Sequence, residues 1–87
     1  MRYERYDYAI MVKTLNDLTV GEPAVITELN CKGSVRRRII DLGLTPGVSV
    51  EVLRIAPMGD PLEIRIRGFN MSIRRSEAKK INVVANH

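Results

Sequence analysis

The sequence predicts a mainly β protein: a small, five-stranded, partly open barrel with one short α-helix and one or two further helical turns. Three observations carry this. About five short runs of β-forming residues are separated by closely spaced turn signals. One segment, Ser34 to Gly47, reads as a helix with both ends marked and a tight turn behind it. At 87 residues the chain builds a single small core, too small to enclose a large active site.

Composition narrows the function classes. Cys31 is the only cysteine, so no internal disulfide staples the fold, as expected in a reducing compartment. No stretch has the length of a membrane span and no apolar leader opens the chain, which points to a cytoplasmic protein. The net charge of +4 favours an anionic partner, while for any single arginine a solvated surface remains the default.

Residues 1–10 differ from the rest: Tyr3, Tyr6 and Tyr8 alternate with charged residues and no aliphatic period is sustained. They are read as a loosely ordered N-terminal extension, with residues 11–87 as one domain. Leu15 and Leu18 suggest a single helical turn before Gly21. Ala24 to Leu29, just after Pro23, is the first predicted strand.

The helix follows. Ser34 is placed to cap its first turn, and Gly43 to end it in a left-handed conformation. Leu44 then folds back toward Ile39 in a Schellman ending. Val35, Ile39 and Leu42 share the face expected to meet the sheet, and Ile40 widens it. Arg36 and Arg37 fall outside that stripe. Arg38, beside it, is suited to a carboxylate or to backbone carbonyls at the helix end. Thr45-Pro46-Gly47 reverses the chain into the next strand.

Val48 to Ile55 begins with Val48, Val50 and Val52 on one face, then changes phase, which predicts a bulge or bend. Ala56 to Pro61 is a loop with two prolines and a glycine. Leu62, Ile64 and Ile66 alternate with Glu63, Arg65 and Arg67, so the arginines are predicted to face outward. Gly68-Phe69-Asn70 is read as a turn, and Met71 and Ile73 as a further strand. Ser76 to Lys80 reads as a helical turn capped by Ser76, followed by a strand from Ile81 to Val84.

Several of these stretches, taken together, closely resemble ferrous iron transport protein A, the FeoA family. They are Leu42 to Gly47 with Arg38, Ala56 to Pro61, Arg67-Gly68, and Ser72 to Ala78. The resemblance runs from about Met11 to Val84. Leu42 stands where the family commonly has methionine, and Met1 to Ile10 has no counterpart. The resemblance implies an SH3-like barrel and a small cytoplasmic accessory protein of ferrous iron uptake. Such a protein acts with a large membrane transporter that carries a GTP-binding domain, and is peripheral to the membrane through that partner.

On this basis the expected function is regulation by protein–protein contact. Met58, Arg36, Arg37, Arg65 and Arg67 are the candidate partner-binding residues. Ser34, Ile39, Leu42, Gly43, Leu44, Pro46 and Gly47 form a structural motif. A nucleic-acid-binding barrel using its basic strand face is the alternative, with Arg74 and Arg75 as further phosphate contacts. Against it, the strands lack the aromatics that stack on bases. No catalytic, cofactor or metal residues are assigned: the one histidine is His87, no cluster has ligand spacing, and no phosphate-binding Lys-Ser/Thr loop is present. The sequence leaves self-association open.

Overall fold

The structure is a computed structural model, and residues 12–85 are described. The extension predicted for residues 1–10 lies outside them. The elements are β1 (Val12–Thr14), a 3-10 turn (Leu15–Asp17), β2 (Pro23–Leu29), α1 (Gly33–Asp41), β3 (Ser49–Ile55), β4 (Leu62–Ile66), β5 (Phe69–Ile73), α2 (Arg75–Ala78) and β6 (Ile81–Ala85). All strand pairs are antiparallel in the order β1-β6-β2-β3-β4-β5, and the sheet stays open between its edges β1 and β5. This is the predicted partly open, mainly β architecture, with six strands among the described residues in place of five. The added strand is β1. Its three residues have too little alternation to announce themselves, and only pairing with β6 makes them a strand. Among the described residues no helix is long and apolar enough to cross a membrane.

Alternation sets the core. Ala24, Ile26 and Leu29 on β2, Val50 and Val52 on β3, and Ile81 and Val83 on β6 are buried, as are Leu62, Ile64 and Ile66 on β4. β2 keeps its inner face across a register shift between Ile26 and Glu28. The predicted irregularity of β3 is a bulge as well: Val52 pairs with Ile64 and Arg54 with Glu63, leaving Leu53 as the extra residue. Beyond it the strand leaves the core, and Ile55 is exposed. Leu15 and Leu18 close one end, both buried.

The end of α1 follows the Schellman prediction. The Gly43 amide donates to the Ile40 carbonyl (2.9 Å) and the Leu44 amide to that of Ile39 (3.1 Å), with Gly43 at φ +98°. Ile39 and Leu44 are fully buried.

Several local expectations are corrected. Ser34 does not cap α1. Gly33, at φ +62°, turns the chain into the helix one residue earlier, Lys32 holds the cap position, and Ser34 lies inside the first turn. Leu42 does not share the buried face, because the chain reverses immediately after it and Leu44 takes the core position; Leu42 is 36% exposed and Ile40 38%. Ser76 does not cap α2: Arg74 precedes that turn, and its amide donates to Glu77 Oε1 at 3.2 Å. Arg67 is not on a strand, and Phe69 and Asn70 are not in the turn but on β5. With Gly68, Arg67 forms a two-residue hairpin turn, both at positive φ (+49° and +83°), which lets β5 start at Phe69.

Candidate partner-binding surface

The loop between β3 and β4 is built from short-range constraints. Pro57 presets φ at the first central position of a turn in which the Gly59 amide donates to the Ala56 carbonyl (2.7 Å). Gly59 sits at φ +90°. The Ala56 amide then donates to the Pro61 carbonyl (3.1 Å), closing the loop at its base. Met58 is left at the tip, 93% exposed.

Arg75 locks this loop to the rest of the molecule. Its Nε donates to the Gly59 carbonyl (2.8 Å) and its Nη1 to Asn16 Oδ1 (2.6 Å), while its backbone amide donates to Asp60 Oδ1 (3.0 Å). One side chain thus joins the 3-10 turn and the β3–β4 loop, and its amide fixes the entry to α2. The Met58 tip is held in place before any partner arrives, which lowers the ordering cost of binding. Only in the nucleic-acid alternative does the sequence give Arg75 a role, as a phosphate contact. Its partners lie up to 59 residues away, and nothing local signals them.

The other candidate residues fall into two more patches. Arg36 and Arg37 project from α1, where Arg36 Nη1 donates to the Leu29 carbonyl (3.3 Å). Arg37 is exposed and has no carboxylate partner among the described residues. With Ile40 and Gly33 they border a shallow open groove. Arg65 and Arg67 border a different one together with Pro23, Ser49, Glu51 and Gly68. Arg65 Nη1 stands 3.9 Å from Glu51 Oε1. Arg67 stretches back over the end of α1: a Cβ added at Gly43 would lie 3.8 Å from its Nε and 3.9 Å from its Cδ.

Several acidic residues serve as partners for basic ones. Arg54 pairs with Glu63 (3.3 Å) and Arg38 with Glu77, the role the sequence suggested for Arg38. Arg38 and Glu77 also line an open groove of about 480 Å³ with Asp60, Pro61, Ser72, Ile73 and Arg74. Glu22 accepts from Lys13 Nζ at 2.7 Å and from the Thr19 amide at 3.1 Å, and these bonds, that from Lys13 foremost, hold its carboxyl below the usual range. Cys31 is a buried free thiol. Among the described residues, no three His, Cys, Asp or Glu side chains gather as a metal site would require.

Comparison with known proteins bears on most of the chain. The family model described as the FeoA domain matches residues 13–85. An Fe(2+) transport protein A/Fe(2+) transporter FeoB fusion protein of Porphyromonas gingivalis is 39% identical over 69 residues, which is 79% of this chain and 8% of that protein. This chain therefore spans under a tenth of the fusion protein's length. The solution structure of a FeoA protein from Chlorobium tepidum superposes with a TM-score of 0.80 at 40% identity, covering 85% of this chain and 70% of that one. The crystal structure of Stenotrophomonas maltophilia FeoA, complexed with zinc and described as a prokaryotic SH3 domain protein, gives 0.71 at 28% identity, covering 80% and 87%. The open antiparallel barrel is of the SH3-like type.

Proposed function

The chain belongs to the FeoA family, and from that premise we propose that it is an accessory protein of ferrous iron uptake. In this reading it acts by binding the cytoplasmic GTP-binding region of a membrane ferrous iron transporter. The observation that carries the proposal is the Porphyromonas gingivalis relative, in which a segment similar to this chain is part of one polypeptide with an Fe(2+) transporter. Fusion holds two modules at high effective concentration without demanding much of their interface. Binding to the GTP-binding region needs a surface with affinity of its own.

The Met58 tip is the first candidate for that surface. A large flexible apolar side chain, almost wholly exposed on an anchored loop, gains most by being covered. Arg36 and Arg37 offer a second, electrostatic contact that steers association more than it tightens it. Pairing of Arg54 with Glu63 and of Arg65 with Glu51 removes free charge from the strand face on which nucleic-acid binding would rest. Regulation also requires that the chain bind one nucleotide state of the transporter better than another, because equal affinity for both shifts nothing.

The test is capture of the transporter from detergent-solubilised membranes, with and without GTP. The expected result is nucleotide-dependent capture, weakened about tenfold by Met58→Asp while the melting temperature stays unchanged. Failure to capture the transporter in either nucleotide state overturns the reading. Capture unaltered by Met58→Asp removes Met58 from the interface.

A further inference from the structure

β5 is the last strand of the sheet, hydrogen-bonded to β4 along one side and to no strand along the other among the described residues. Its hairpin fixes which backbone groups are free. A two-residue turn at Arg67-Gly68 makes Ile66 and Phe69 the closing hydrogen-bonded pair, and the antiparallel alternation assigns Met71 and Ile73 to β4 too. The N–H and C=O of Asn70 and Ser72 therefore point away from the sheet. Protein edges are ordinarily blunted by a charge, a proline or a bulge. Phe69 to Ile73 contains none of these, whereas the opposite edge, β1, carries among its described residues a lysine paired with Glu22.

The inner face is also unfinished here. Phe69 pairs with Ile66 and so shares its face, yet Ile66 is 2% exposed and Phe69 69%. Met71 is half-buried and Ile73 buried, so cover thins steadily toward the hairpin. One more strand with apolar residues at alternate positions would cover Phe69 and Met71. Charge defines its ends: Arg67 precedes the edge and Arg74 follows it, neither paired with a carboxylate among the described residues. Antiparallel pairing with a second copy would bring the Arg67 end of one against the arginine-rich far end of the other, which is unfavourable.

We propose that the free edge of β5 is a strand-addition site for an extended segment of another protein, alternating in apolar residues and acidic at its ends. Main-chain bonds to Asn70 and Ser72 supply affinity, contact with Phe69 and Met71 supplies the apolar term, and Arg67 and Arg74 select the flanks. The site is separate from the Met58 loop and does not depend on the transporter reading.

The test uses the full ¹⁵N-labelled chain and a synthetic peptide alternating valine and threonine with aspartates at both ends. Amide exchange at Asn70 and Ser72 is expected to slow about tenfold or more on adding the peptide, while Phe69 and Met71, already bonded to β4, change little. The same peptide with lysine ends is expected to bind about tenfold more weakly. Ser72→Pro removes an outward N–H without touching the β4 ladder and is expected to abolish binding. Phe69→Ser weakens binding and stands in if the proline variant does not fold. Two results overturn the proposal: no protection at millimolar peptide, or Asn70 and Ser72 already protected in the peptide-free chain, which would mean that another part of the chain or a second copy covers the edge.

Discussion

Two turns of this molecule use the same vocabulary to opposite ends. Leu42 to Gly47 and Ala56 to Pro61 each contain proline, positive-φ glycine and one or more large apolar side chains. In the first, the chain doubles back and Leu44 is wholly buried against the core; in the second, the chain runs out and back, and Met58 stands 93% exposed. Both are held by backbone hydrogen bonds of ordinary length. Turn chemistry therefore decides where the chain bends, and the surroundings decide whether the bend serves folding or presentation. The first turn closes the helix end on the core, and the second carries Met58 into solvent.

The sharpest break between them should appear in core truncation. Leu44→Ala is expected to cost about 3 kcal/mol in urea unfolding, because removed methyl groups leave a cavity beneath a helix end that cannot collapse. Gly43→Val should cost about 2 kcal/mol. The added Cβ would meet Ile66 Cδ1 at 3.5 Å, an ordinary contact, so the strain of a β-branched residue at φ +98° decides the loss. If Gly43→Val kept its melting temperature but lost transporter binding, the helix end would be a contact site and the contrast between the turns would fail.

Arg75→Ala tests the second turn from behind. Losing its bonds to Gly59 and Asn16 is expected to cost about 1–2 kcal/mol, since a charged donor leaves two acceptors unpaired at a partly wet site. Amide exchange at Gly59 should accelerate, and any binding that depends on Met58 should weaken although Met58 is untouched. Met58→Asp itself should move stability by no more than about 0.5 kcal/mol.

The smallest effect lies outside both turns and supplies a baseline. Glu22 has a lowered pKa in the folded chain, so the stability it lends is present above the ordinary carboxylate range and is lost as pH falls through that lowered value. Protection of the Thr19 amide, which donates to Glu22 Oε1, should fall over that acid interval, and in Lys13→Ala the fall should be flatter.

Where local chemistry was enough, the sequence was legible. The alternation of Leu62, Ile64 and Ile66, the bulge after Val52 and the Schellman ending at Gly43 all follow from residues within a few positions of one another. The starts of α1 and α2 were misplaced because a serine near a helix start resembles a cap whether or not the chain enters at that residue. The sequence assigns Arg36 and Arg37 to the helix and Arg65 and Arg67 to a strand, without saying how the two pairs lie relative to one another. In three dimensions they lie on different elements, and Arg67 packs back on α1.

The sequence by itself determined the bends, the strand faces, the buried helix ending and the family, because each depends on near neighbours or on the order of short motifs. Tertiary structure alone decided that Leu42 stays outside the core, that Val12 to Thr14 is a strand, and that Arg75 anchors the loop bearing Met58. It also left Phe69 uncovered at an open edge. The physical reason is range: backbone preference acts within a turn, whereas cover, edge pairing and a partner for Arg75 come from segments that meet only when the sheet has formed.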